Sequence, residues 1–333
     1  MAVVASPHRT PTAAPTQLFN AWQRALPLVS RPFDAMGAAF DLDGEQVRDA
    51  LRLGLERGEI SRIGGVFGIG SGGSGMLCAM QVPEHERDAV AVQINAEPGV
   101  NHNYAREHRL NLWFVVTASD GTQLSACVDR IDHATGHTAL RLPMRRAYRI
   151  DLGFDLFDAH NAPALLAAND APPVSRGLRA LAARLESGLP LVERPYAELG
   201  TPLGMNEDAV IATLRDWCER GTLRRLGVVL RHHEFGISAN AMTVFALPSK
   251  DADAAGARLA QQAGVTLCYR REAGPQWPYT LYCMVHGRER AEVLALIDHA
   301  THNADLAHCP REILFSTQRY KQTGGRYFTE VTA

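Results

Sequence analysis

The sequence predicts an α+β protein in which a module of about 150 residues is written twice. Each copy reads as a winged helix-turn-helix followed by a βαββαβ, ferredoxin-like domain. Three observations predict this. The stretch "ALPLVSRPFDAMG…VRDALRLGLERGEISRIGGV" from Ala25 realigns with "GLPLVERPYAELG…VIATLRDWCERGTLRRLGVV" from Gly188 at a constant spacing of 163 residues (31 to 194, 58 to 221). The frame G-V-x-x-x-Y-x-R-E occurs at "GVNHNYARE" (99–107) and again at "GVTLCYRRE" (264–272), and "DHAT" begins at both Asp132 and Asp298. A register held that long, broken only by small loop insertions, marks a duplication.

The elements follow in order. Residues 1–17, "MAVVASPHRTPTAAPTQ", read as a disordered tail, because Pro and His stand where a signal peptide needs an apolar run. The first winged helix takes 18–75. In it Asp43 and Gln46 form a capping box, Val47, Leu51 and Leu55 give one apolar stripe, and Gly58 stops the helix. "EISRIGGVFGIG" then reads as a β-ribbon, and "GIGSGGSG" (68–75) as a flexible wing tip, since it lacks the Lys-Ser/Thr ending of a phosphate cradle. The first ferredoxin-like domain takes 76–160: an extended run ended by Pro, a helix, the repeated motif, the strand "NLWFVVTA", a helix and a last strand. The Ala/Pro-rich stretch 161–177 reads as a linker, followed by winged helix 178–236 and ferredoxin-like domain 237–330.

Composition narrows the function. The chain has 333 residues, 46% hydrophobic and 21% charged, with 34 Lys+Arg against 36 Asp+Glu, so it folds but offers no global charge for nucleic acid or an anionic membrane. The two expected recognition helices carry formal charges of 0 (45–57) and −2 (207–220), which makes DNA an unfavoured partner, because affinity for DNA comes mainly from neutralised phosphates. Six cysteines without a C-x-x-C pair read as reduced thiols, and no apolar run reaches membrane-spanning length, so a cytoplasmic protein is expected. "RHHEFG" (231–236) is a weak metal candidate, since adjacent histidines on a ribbon face opposite ways.

The repeated motifs concentrate the chemistry. "NHNYAREHRLNLW" gathers His102, Tyr104, Arg106, His108, Arg109 and Trp113, while "CYRREAGPQWPYTLY" gathers Tyr269, Arg270, Arg271 and Trp277. Guanidinium groups bind carboxylates bidentately and aromatic planes stack on flat ligands, so the combination fits a planar polyanion. His286 ends a strand as a cap or pocket residue. Arg149 belongs to one of two late basic clusters, the other holding Arg311, Arg319, Lys321 and Arg326. Both clusters read as solvated faces or carboxylate anchors.

With these motifs the chain resembles the siroheme decarboxylases, a branch of the Lrp/AsnC-like superfamily, in their fused two-subunit form. The resemblance implies removal of the C12 and C18 acetate carboxyl groups of sirohaem to give 12,18-didecarboxysirohaem, on the way to haem d1. It implies no cofactor of the protein's own, the iron belonging to the substrate. It also implies an intramolecular pseudo-dimer, with monomer and homodimer both open. By position it makes His102, His108 and Tyr104 the catalytic candidates, either histidine being a possible axial ligand to the substrate iron. Arg106, Arg109, Trp113, Arg149, Tyr269, Arg270, Arg271, Trp277 and His286 would then hold substrate. Some relatives carry His where this chain has Leu267. A metabolite-sensing regulator and a non-catalytic tetrapyrrole carrier are the rival readings.

Overall fold

The computed structural model describes residues 13–150, 153, 156–157, 170–274 and 276–329. The first half contains α1 (Ala13–Ala21), α2 (Pro32–Gly37), α3 (Gly44–Glu56), β1 (Ile60–Phe67), β2 (Ser74–Met80), α4 (Arg87–Ala96), β3 (Val100–Arg106), β4 (Leu112–Ala118), α5 (Gly121–Thr135) and β5 (Leu140–Ile150). The second repeats the order with α6 (Arg179–Ser187), α7 (Pro195–Gly200), α8 (Glu207–Glu219), β6 (Leu223–Leu230), β7 (Ala239–Phe245), α9 (Ser249–Leu259), β8 (Val265–Arg271), β9 (Leu281–Gly287), α10 (Arg290–Asn303) and β10 (Arg311–Gln322).

Local signals act as the spacing predicts. Asp43 Oδ1 accepts from Gln46 N at 2.8 Å and Asp43 N donates to Gln46 Oε1 at 2.9 Å, closing the capping box that starts α3. Asn206 Oδ1 does the same for α8, accepting from Ala209 N at 2.8 Å. The faces of α3 and α8 that carry Val47, Leu51, Val210 and Leu214 are buried in one core shared by both winged helices.

Three expectations are corrected. The stretch 1–17 is not a tail throughout, because α1 begins at Ala13. Leu18 and Phe19 in it are buried, and Leu26 N and Val228 N close backbone bonds between this segment and β6 of the other half. The β-ribbon does not form within a half. β1 pairs antiparallel with β6, Gly64 opposite Gly227, so each half contributes one strand to a shared two-stranded sheet. A Cβ on Gly227 would lie 2.4 Å from the Gln23 carbonyl oxygen, which is why glycine stands at that crossing. The Gly-rich stretch 68–75 is no flexible tip. Ser71 in it is buried, Gly70 at φ +97° lies under the Ala171 backbone, and Val174 N bonds Ser71 O at 2.7 Å. The expected linker therefore docks from Ala171 onward, whereas 161–169 lie outside the described residues.

The ferredoxin-like sheets are joined edge to edge. β5 pairs with β2 through Leu140–Pro143 and then with β8 through Met144–Ile150, while β10 pairs with β7 through Arg311–Phe315 and then with β3 through Ser316–Gln322. Sharing these two long strands closes eight strands into a barrel, β10-β3-β4-β2-β5-β8-β9-β7, which leaves no free edge among them. Helices α4, α5, α9 and α10 cover the outside over two apolar cores. A third core fills the lower barrel interior with Trp113, Leu142, Met242, Val244, Trp277, Tyr282 and Leu314. An interior of this size holds side chains and at most one small ligand, so a larger ligand must sit at a mouth.

Candidate functional site

The repeated motifs are β3 and β8 themselves, and strand alternation sorts their side chains. On β3, Asn103 faces outward to the Ala91 carbonyl and Asn95 of α4, which turns His102, Tyr104 and Arg106 inward. On β8, Cys268 lies in the helix-side core and Arg270 pairs with Asp253 of α9 at 3.0 Å, which turns Leu267, Tyr269 and Arg271 inward. A bulge precedes each inward trio, between Val100 and His102 and between Val265 and Leu267. At the bulges Asn101 Nδ2 donates to Thr117 Oγ1 at 3.1 Å, and Thr266 Oγ1 meets His286 Nδ1 at 2.8 Å.

Two arginines dominate the interior electrostatics. Arg106, 7% exposed, donates to the Leu314 carbonyl at 2.8 Å and stands 5.8 Å from the Tyr104 ring. Burial pushes its pKa down from 12.5 to about 10. Arg271 donates to the Leu142 carbonyl at 2.8 Å and lies 5.3 Å from the Tyr269 ring and 5.7 Å from that of Tyr282. Burial lowers its pKa as well. Among the described residues neither guanidinium has an ion-pair carboxylate, and the Nε of each is sealed from solvent without a hydrogen-bond partner.

The titratable groups beside them are held neutral. Burial, and after it the Arg62 charge, pushes His102 down to about 4, and burial with the Arg106 charge brings His286 to about 4. His102 Nδ1 is 2.5 Å from Asn101 Oδ1, and its ring stacks 6.3 Å from that of Tyr104. The Thr266 hydroxyl donates to the Met284 carbonyl at 3.2 Å, so it accepts from His286 Nδ1 and leaves Nε2 as the lone-pair nitrogen. Tyr104 and Tyr269 are both raised by burial.

The structure thus lines one barrel interior with His102, Tyr104, Arg106, Tyr269, Arg271 and His286, His102 lying toward Arg62 of β1 and the two arginines bonding carbonyls of the interior core. It does not bring His108 or Arg109 there. His108 pairs with Glu312 at 2.8 Å and edges onto Trp277, and Arg109 donates to the Gln276 carbonyl; Trp113, opposite Tyr104 in the β3–β4 ladder, meets Trp277 at 5.2 Å, so the two tryptophans are the apolar core on which the polar groups rest. Arg149 and Arg270 lie outside the barrel. Arg149 donates to the Ala260 and Gln262 carbonyls, capping the end of α9, because its place in β5 points it at that helix.

Two residues enter that the motifs do not contain. Arg319, opposite Tyr104 in the β10–β3 ladder, bonds Glu234 at 2.6 Å, and Arg62 of β1 charges the environment of His102. Arg319 already stood in a late basic cluster, but nothing in the sequence shows that β1 crosses the barrel mouth. The two half-sites are unequal. Where the first has His102 and Arg319, the second has Leu267 and Ala147, the latter opposite Tyr269 as Arg319 is opposite Tyr104.

Comparison with known proteins points to one family. The profile of the AsnC-like ligand binding domain matches residues 70–149 and 234–321, and that of the siroheme decarboxylase NirDL-like HTH domain matches 179–224. The chain is 41% identical over 310 residues to the siroheme decarboxylase NirDL subunit of Paracoccus denitrificans, covering 92% of this chain and 95% of that one. It is 48% identical over 144 residues to the NirL subunit of Stutzerimonas stutzeri, covering 43% of this chain and 85% of the subunit. A crystal structure of the siroheme decarboxylase NirDL superposes with a TM-score of 0.66 at 26% identity, covering 95% of this chain and 94% of that one. A second, in co-complex with an iron-uroporphyrin III analogue, gives the same TM-score and identity over 94% of each chain.

Proposed function

The chain belongs to the siroheme decarboxylases, and from that membership we propose that it acts as a carboxy-lyase on sirohaem, removing the C12 and C18 acetate carboxyl groups. The observation that carries this reading is the pair of arginines, Arg106 and Arg271, enclosed in the barrel without carboxylate partners. A buried cation left unpaired costs several kcal/mol, and a ligand that brings carboxylates offsets the cost. A flat macrocycle with carboxylate arms does so twice, once in each half, with the Tyr104 and Tyr269 rings beside it.

In the reaction the bond between the acetate CH2 and its carboxylate carbon breaks, carbon dioxide leaves, and the electron pair stays on the CH2 carbon, delocalised into the macrocycle. That carbon then takes one proton and becomes a methyl group. Arg106 and Arg271 hold arms that do not react. The reacting arm faces His102 and Tyr104, where a site short of water raises the carboxylate's free energy. His102 is neutral in the free protein, since burial and Arg62 depress its pKa. Carboxylate arms arriving beside it screen Arg62 and favour the imidazolium, so the substrate itself charges the proton donor. The second half-site, with Leu267 in place of a histidine, binds rather than reacts.

The test is anaerobic incubation of the purified protein with sirohaem, following product mass. Two successive losses of carbon dioxide are expected. Spectral binding with no change in mass would replace the decarboxylase with a tetrapyrrole carrier.

A further inference from the structure

The winged-helix layer does more than sit above the barrel. After β10 the chain runs back as a strap, 323–329, across the mouth: Thr323 N bonds the Asn101 carbonyl at 2.8 Å and Arg326 N bonds Thr117 Oγ1 at 2.9 Å. The strap is fastened to Glu186 of α6, only 5% exposed, whose carboxylate accepts from Tyr327 N, Phe328 N, Thr329 N and the Thr329 hydroxyl at 2.9 to 3.2 Å. Phe328 seals the arrangement edge-on against Phe67 at 4.6 Å. Fastened this way, Tyr327 lies across the start of β2: a Cβ on Gly73 would meet its side chain at 2.7 Å, and one on Gly75 would lie 3.8 Å from its hydroxyl.

Arg62 points into the same space. It donates to the Gly65 carbonyl at 3.1 Å, and a Cβ on Gly324 of the strap would lie 2.4 Å from its Nη1. No carboxylate among the described residues lies within ion-pair distance of it, its Nε is sealed without a hydrogen-bond partner, and both oxygens of nearby Glu186 are committed to the strap. Arg62 is therefore a third under-compensated cation, contributed from outside the barrel and facing His102.

We propose that Arg62 of β1 and Tyr327 of the strap form the outer wall of the substrate site, taking a carboxylate arm that projects from the barrel mouth, so that the winged-helix sheet serves as a substrate-binding lid. The inference rests on the proposed sirohaem chemistry and adds residues to it.

The test is anaerobic titration of sirohaem, followed by its visible absorption, into wild type, Arg62→Met, Arg62→Lys and Tyr327→Phe, with thermal melting to verify folding. Losing a charge-assisted contact should raise Kd about tenfold in Arg62→Met. The lysine should recover part of it, the loss should shrink as salt rises, and Tyr327→Phe should show a smaller rise, about threefold. Folded Arg62 variants that bind within twofold of wild type would overturn the proposal. So would equal, salt-independent losses in the methionine and lysine variants, which a merely structural arginine would give. If wild type itself binds no sirohaem, it is the functional reading that fails.

Discussion

Replacing Arg106 by Met should make the free protein more stable while disabling it. Moving the Arg106 pKa from 12.5 to about 10 corresponds to about 3 kcal/mol of disfavoured charge in the folded state. The sign follows from the folded value lying below the unfolded one: the charged form is penalised at every pH below about 10, neutrality included. Methionine keeps the unbranched apolar stem and removes the charge. Against the gain stand the hydrogen bond to the Leu314 carbonyl, about 1 kcal/mol, and the contact with the Tyr104 ring, about 1 kcal/mol. The net is a stabilisation of about 1 kcal/mol, a rise in Tm of about 2 °C for a chain of this size. With sirohaem the order reverses. At a hundred times its Kd the ligand stabilises wild type by about 2.7 kcal/mol, and a variant whose affinity falls about a hundredfold gains only about 0.4 kcal/mol. Melting curves with and without sirohaem, beside a decarboxylation assay, read both effects. An Arg106→Met protein that melts well below wild type and keeps the full ligand-induced shift would refute the reasoning, because the arginine would then be a structural strut.

Three further outcomes are expected. His102→Ala should lower the decarboxylation rate by about a hundredfold or more while sirohaem binding, followed by absorption, changes far less, since a lost proton donor acts on kcat. His108→Gln should leave kcat within about twofold and cost about 1 kcal/mol in urea unfolding, because His108 ties the β3–β4 turn to Glu312 at the far end of the barrel. Stability should fall on acidification from about pH 6.5 toward 4. His102 and His286 have folded pKa values of about 4, below the unfolded value near 6.5, so the unfolded chain binds protons first. Unfolding free energies from urea titrations at pH 7 and pH 5 should differ by about 2 kcal/mol per histidine, and His286→Gln should narrow the gap.

The duplication, the βαββαβ order, the capped helices and the repeated Tyr-x-Arg motif are legible in the chain, because they depend on local periodicity and on register between copies. His102, Tyr104, Arg106, Tyr269 and Arg271 stand out by the clustering of guanidinium, aromatic and imidazole groups, and the structure turns them to one face because each motif is a strand. That same alternation, read strictly, would have excluded Arg270, which shares the wrong face with Cys268. Nearness in sequence also points to His108, Arg109, Trp113 and Trp277, but His108 and Arg109 follow the end of β3 and are tied to Glu312 and the Gln276 carbonyl, while the two tryptophans fill the apolar interior core.

Register and composition along the chain establish two unequal copies of one module and the short segments that carry arginine, tyrosine and histidine together. What those copies share is set by packing across the whole molecule. β5 and β10 each pair with both sheets, β1 finds its partner in β6, and the strap fixed by Glu186 crosses the mouth, so β1, β3, β8, β9, β10 and the strap meet although they are remote in the chain. The reason is physical. Side-chain periodicity is set by the backbone of one element, whereas strand partners are chosen by burying complementary faces across the whole molecule. Arg62 could be recognised only once β1 had been placed over the barrel.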